Sequence, residues 1–227
     1  MAQRPVFIPK YIGSSFVAVE YIDFEWHPGM TLGQKQKSVV SLHTSAHQAL
    51  GVKNILEIST KSSNPIGSAL SAFNLMMNVP DLKRPTCVEC VYQGSKVFEM
   101  GGPFIDIFQM TALEAKKDSR LSTSGHLVGF SFSSIDWVLQ PQTAFYNWIY
   151  INALCQQFNF FSEIEKFDCF TDIEFNPKKS INCQAYAVAL FLSLHRRGML
   201  SDAISSPRAF LQCTEGVQDA LEQGQLF

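Results

Sequence analysis

The chain has 227 residues, of which 46% are hydrophobic and only 17% charged, with a formal net charge of −2. This supports one sizeable core. It excludes a protein that coats nucleic acid by charge alone, though not a local basic patch that handles one nucleotide. No run of about eighteen apolar residues exists, so no membrane span is expected. The start, Met-Ala-Gln-Arg-Pro-Val-Phe-Ile-Pro, lacks the apolar stretch of a signal peptide, which predicts a cytoplasmic chain.

In chain order, residues 5–8 and 16–26 carry strand signals, the second rich in β-branched and aromatic residues and alternating in its later half. A helix is predicted from about Gln34 to Leu50, closed by Gly51, with His43 and His47 four apart. That spacing suits a metal, but no third ligand accompanies it, and the two read as packing or surface histidines. Residues 55–59 read as a short strand, residues 60–68 as a polar loop, and residues 87–98 as a helix. On that helix Glu89, Gln93 and Lys96 would share an arc of about 60° inside an apolar surround. Such a narrow stripe is either a buried Glu–Lys staple or one wall of a polar site. Cys87 and Cys90 form a CxxC with no second pair at zinc spacing, so the six cysteines read as reduced core thiols.

Further on, Thr111-Ala-Leu-Glu is a capping box that starts a helix to about Arg120. Residues 126–132 form a strand, Pro141 opens a helix to about Phe158, and residues 160–167 form a shorter one. Residues 169–175 are extended, and a nearly all-apolar helix runs from about Ser180 to Arg197. These elements predict an α+β, helix-dominated single domain: an N-terminal extension over 1–50, a core over 51–200 and a helical C-terminal appendage over 201–227.

Four polar sets lie in apolar or ordered contexts: Ser71 with Asn74, Glu89 with Gln93 and Lys96, Asp172 with Glu174, and Asn182 with Gln184. Burying one such group without a partner costs on the order of 1–3 kcal/mol, so each set is paired or holds a ligand. A desolvated lysine can attack the aldehyde of a ring-opened sugar, and the carboxylates can do acid/base work on an N-glycosidic bond. There is no Gly-rich phosphate loop and no Ser or Cys nucleophile signature.

The segments Leu-Ser-Ala-Phe-Asn-Leu (70–75), Val-Glu-Cys-Val-Tyr-Gln-Gly-Ser-Lys-Val-Phe (88–98), Leu-Glu-Ala-Lys-Lys-Asp-Ser-Arg (113–120) and the run Thr-Asp-Ile-Glu-Phe…Ser-Ile-Asn-Cys-Gln-Ala-Tyr (171–186) follow one another in an order that resembles the NADAR (YbiA-like) family. The whole chain looks most like its antitoxin branch, whose members are paired with DarT-type DNA ADP-ribosyltransferase toxins. Cys90 stands where the family has His, Phe175-Asn176 where it has Trp-Gly, and the loop before Asn182 is shorter.

The resemblance implies hydrolysis of the N-glycosidic link that joins ADP-ribose to guanine bases of DNA, with no cofactor and no metal. It implies that Glu89, Lys96 and Asp172 are catalytic. Ser71, Asn74, Gln93 and Asn182 would hold sugar or phosphate, and Phe73 and Phe175 would stack on a base. Lys61 competes with Lys96 as the reactive amine, and Lys96 is either nucleophile or clamp. The expected partners are ADP-ribosylated DNA, ADP-ribose and a cognate DarT-type toxin. Two other readings stand beside this one: an N-glycosidase of a ribosylamino-pyrimidine phosphate of riboflavin type, and a non-catalytic ADP-ribose-binding antitoxin.

Overall fold

The computed structural model describes residues 1–80 and 82–214. In chain order it begins with β1 (Ala2–Pro9), β2 (Val17–Phe24), α1 (Leu32–Leu50), β3 (Ile55–Glu57) and the short α2 (Pro65–Ala69). There follow β4 (Met76–Met77), β5 (Thr86–Cys87), α3 (Val88–Gly94), β6 (Lys96–Phe98), α4 (Ala112–Lys117), α5 (Arg120–Thr123), β7 (Leu127–Phe132), β8 (Ile135–Trp137) and α6 (Ala144–Cys155). The chain closes with α7 (Phe161–Ile164), β9 (Cys169–Thr171), α8 (Gln184–Arg196), α9 (Leu200–Ser205) and α10 (Pro207–Thr214). The fold is helix-dominated α+β, as the sequence predicts. Of the appendage expected over 201–227, residues 215–227 lie outside the described residues.

Two compact units form: one from residues 1–71 and 159–227, the other from residues 72–158. In the first, a four-stranded sheet has the order β2-β1-β9-β3. β1 runs antiparallel to β2 along its whole length and meets β9 at Phe7↔Phe170, while β3 and β9 are parallel. Alternation along β1 sends neighbouring side chains to opposite faces. Val6 joins Val39, Leu42 and Ala46 of α1 in one cluster, whereas Phe7 meets Tyr186 of α8 edge-on at 5.7 Å. Thr31 caps α1 and Gly51 closes it at φ 66. α8 is buried on nearly every side, as an all-apolar helix must be. The guanidinium of Arg197, just past α8, donates to the carbonyls of Lys10, Ile12, Gly13 and Ser15, fixing the loop between β1 and β2.

The stretch read as a polar loop over 60–68 contains α2. Asn64 caps it, accepting from Ile66 N–H at 2.9 Å, and Pro65 stands in its first turn. These are ordinary helix-start residues in a five-residue helix too short to show periodicity.

In the second unit, β6, β7 and β8 form an antiparallel sheet and β4 pairs with β5. The α6 residue Phe145 packs against Phe130 of β7 at 4.6 Å and Trp137 of β8 at 5.5 Å. The capping box of α4 is present: Thr111 Oγ1 accepts from Glu114 N–H, and Glu114 accepts from Thr111 N–H. The helix ends at Lys117 rather than Arg120.

Candidate functional site

The second unit carries Glu89, Gln93 and Lys96. α3 has no side-chain cap at its start. The free N–H groups of its first turn instead reach backbone carbonyls, Val88 N–H to Leu75 at 3.0 Å and Glu89 N–H to Ala72 at 2.9 Å. This fixes the azimuth of the helix, with Glu89 and Gln93 both 8% exposed. Gln93 Nε2 donates to Glu89 Oε1 at 3.0 Å. Gln93 Oε1 is buried with no hydrogen-bond partner among the described residues.

The helix predicted over 87–98 is shorter than expected, and Lys96 is not on it. α3 stops at Gly94, and Lys96 opens β6, paired with Phe130. Gly94 is closely packed. A Cβ there would lie 2.6 Å from the ring of Phe108 and 2.9 Å from the carbonyl of Phe104. Val97 and Phe98 then suit the strand that follows. The three polar side chains therefore come from a helix and a strand rather than one helical stripe. Lys96 is half-buried, with Nζ 4.8 Å from the centre of the Tyr92 ring. Burial holds its pKa below the ordinary lysine value, opposed by the nearby Glu89 carboxylate.

Phe73 lines a cavity of about 770 Å³ whose wall also includes Lys83, Arg84, Cys87, Phe108 and Thr111. Lys116 Nζ sits 5.4 Å from the Phe73 ring centre. Glu89, Gln93 and Lys96 do not line this cavity. Its size and its mix of cations and aromatic rings suit an anionic aromatic ligand. The polar cluster of α3 and β6 and this cavity are therefore separate features of the unit. Asn74 is exposed and not part of a buried set.

The first unit carries Asp172, and with it two residues that the sequence reading passed over. Asp172 is 6% exposed and Glu57 3%. Burial first, and the neighbouring Glu57 second, push the Asp172 carboxyl well above the usual range. Burial also raises Glu57, but Glu57 accepts from Ser59 Oγ at 2.6 Å, Thr171 Oγ1 at 2.7 Å and Ile173 N–H at 2.8 Å. Three donors favour the anion on Glu57 and oppose its rise, and Asp172 is opposed likewise by the Gln184 side chain and two backbone N–H groups. Asp172 Oδ1 accepts from the N–H groups of Glu174 and Phe175. Thr171 has one hydroxyl hydrogen and gives it to Glu57. His43 Nε2, 2.9 Å from Thr171 Oγ1, is therefore the donor in that contact. Burial lowers the His43 pKa to about 4. Arg4 faces Asp172 and Glu174, and burial lowers its pKa against their attraction.

Glu57 had a legible signal: a carboxylate inside the apolar run Ile55-Leu56-Glu57-Ile58, the same pattern that singles out Glu89. Arg4, in an opening strand, had none.

The other expected residues of this unit are dispersed. Glu174 is exposed and ion-paired with Lys35 at 2.9 Å. Phe175 is buried against Phe7, with ring centres 6.3 Å apart. Asn182 is half-buried and precedes Cys183, the N-cap of α8. The helix expected from about Ser180 would have put it in the first turn, but α8 starts only at Gln184. Gln184 opens that helix, with Nε2 donating to the Ile58 carbonyl at 2.7 Å. Ser71 is buried, with its N–H on the Ser68 carbonyl, and Lys61 is half-buried. His47 Nδ1 is 2.6 Å from the Val52 carbonyl. Among the described residues, no group of three or more His, Cys, Asp and Glu is placed to hold a metal ion, and no helix is long and apolar enough to cross a membrane.

A family model described as DarT1-associated NADAR antitoxin matches residues 2–223. No curated protein matches the chain.

Proposed function

The chain belongs to the DarT1-associated NADAR antitoxin family, and from that premise we propose that it removes ADP-ribose from guanine bases of DNA by hydrolysing the N-glycosidic bond. The observation that carries this reading is the Glu89–Gln93–Lys96 arrangement, a hydrogen-bonded carboxylate beside an amine that burial biases toward its neutral form. The Lys96 amine adds to the anomeric carbon as the bond to the guanine nitrogen breaks. The bond's electron pair leaves with the base, and the Glu89 carboxyl delivers the proton there. Ring opening leaves a Schiff base on Lys96. Water, deprotonated by Glu89, adds to it, and the amine departs to release ADP-ribose.

Phe73 stacks on a base in this scheme. Asp172, Ser71, Asn74, Asn182, Phe175 and Lys61 have binding or assisting roles from the family resemblance alone, and the reaction above does not draw on them. The DarT-type toxin is the source of the modified DNA, and the reaction takes place in the cytoplasm.

The test is incubation of the full chain with ADP-ribosylated DNA, following free ADP-ribose by chromatography. Release that disappears in Lys96→Ala supports the proposal. Tight binding without release points to a non-catalytic antitoxin. Turnover confined to a free ribosylamino-pyrimidine phosphate points to small-molecule glycosidase chemistry.

A further inference from the structure

Cys87 and Cys90 stand at the start of α3 with their sulfurs 3.3 Å apart. Both are free thiols, packed in a cluster with Ile107 and Ala115. Their surroundings differ. Cys90 is fully buried and its S–H reaches the Met110 carbonyl at 3.2 Å. Cys87 lines the 770 Å³ cavity, whose wall also carries Lys83 and Arg84. A small oxidant entering the cavity meets Cys87 and not Cys90.

The geometry points to an oxidisable dithiol, in which Cys87 is the attacking thiol, Cys90 the resolving thiol, and a hydroperoxide the co-reactant. The Cys87 thiolate attacks the peroxide, forming an S–O bond as the O–O bond breaks; the displaced oxygen leaves as water or an alcohol. Cys90 sulfur then attacks the Cys87 sulfenic acid. The S–S bond forms, the S–O bond breaks, and water departs with the Cys90 proton. Two thiols are oxidised by two electrons and one peroxide is reduced.

The asymmetry of the pair suits these roles. Cys87 Sγ donates to Cys90 Sγ; this contact, with the backbone N–H groups of Cys90 and Glu89, holds the Cys87 thiol below its ordinary range against burial and the Glu89 charge. The same neighbour, together with burial, pushes Cys90 up. Positions three apart on a helix have Cα atoms about 5 Å apart, within the span a disulfide accepts. The sulfurs need only close from 3.3 Å to about 2.05 Å. That movement tightens the first turn of α3, where Glu89 sits between the two cysteines. On the proposed glycosidase reading, oxidation therefore slows turnover.

The full chain, reduced with dithiothreitol and then exposed to hydrogen peroxide, is alkylated and mapped by mass spectrometry. The expected result is loss of two hydrogens within the segment holding Cys87 and Cys90, reversed by dithiothreitol. In Cys90→Ser the reaction stops at a Cys87 sulfenic acid trapped by dimedone. Full alkylation of both residues after peroxide overturns the inference, as does first oxidation at Cys155 or Cys213. Mapping of the unmutated chain decides the matter even if the variant does not fold. ADP-ribose release is expected to fall roughly tenfold or more in the oxidised form and to return on reduction. A disulfide that forms while turnover is absent in both states leaves the dithiol standing and overturns the glycosidase reading instead.

Discussion

Gln93 Nε2 holds Glu89 Oε1 at 3.0 Å, one turn apart on α3. The bond engages one carboxylate oxygen and fixes the rotamer of the proposed acid/base group. Glu89→Gln keeps the shape and removes the proton transfer. ADP-ribose release is expected to fall by about 10²–10⁴-fold with binding retained. Gln93→Ala leaves a buried carboxylate short of a donor and costs about 1–3 kcal/mol of stability, read by denaturant unfolding.

Lys96 acts as a free amine in the proposed reaction. Its folded pKa lies below the ordinary lysine value because burial outweighs the attraction of Glu89. The rate of ADP-ribose release is therefore expected to rise with pH and to level off at lower pH than an exposed lysine would allow. Borohydride added during turnover is expected to leave a covalent adduct on Lys96. An adduct on Lys61 instead assigns the amine differently, and the absence of any adduct makes Lys96 a clamp.

Asp172 has a raised pKa in the folded chain, while the unfolded chain releases the proton at about pH 4. The folded state binds more protons above that point. The stability this gives is fully present below pH 4 and is lost as pH rises through the raised folded value. Asp172→Asn removes the loss. It is expected to stabilise the protein at pH 7 by about 0.5–2 kcal/mol, with the advantage over the parent chain shrinking as pH falls toward 4. Urea unfolding at a series of pH values measures this, and an advantage independent of pH refutes it.

His43 has the opposite sign. Its folded pKa of about 4 lies below the unfolded value near 6.5. The unfolded chain takes up the proton first, so stability drops as pH falls from about 6.5 to 4, by up to about 3 kcal/mol. His43→Gln retains an N–H for Thr171 and is expected to flatten that drop, measured as unfolding midpoints at pH 5 and pH 7.

Gly94→Ala drives a methyl into Phe108 and the Phe104 carbonyl. Helix propensity favours alanine by about 1 kcal/mol, but the overlap outweighs it. A net loss of about 2 kcal/mol lowers Tm by roughly 4–8 °C. Turnover is expected to fall as well, because Gly94 stands between Gln93 and Lys96.

The periodic and capped elements were legible before any coordinates. α1 closed by Gly51, the Thr111–Glu114 box and the body of α8 all carry local signals that tertiary packing reinforces. The misses have local causes too. The end of α3 at Gly94 carries no periodic signal, and the Phe108 ring packed on that glycine lies outside the window that a helical wheel inspects. β8 was missed because its turn with β7 uses Ser133 and Ser134 at positive φ, where a tight hairpin usually shows Asn or Gly. Glu89 and Asp172 stood out as buried carboxylates in apolar runs. The pairing of Asp172 with Glu57 did not, because β3 and β9 meet only in the folded sheet.

The order β2-β1-β9-β3 also has a bearing on biosynthesis. On the ribosome, β1 and β2 emerge before β9 and form a hairpin with one ladder edge open. The strand that fills that edge, Cys169–Thr171, is translated only after most of the chain, including all of residues 72–158. The contiguous unit can therefore condense while the split one waits. During that interval the open edge is vulnerable to pairing with other nascent chains. A messenger truncated before the codon for Cys169 leaves the first unit without its central partner strand.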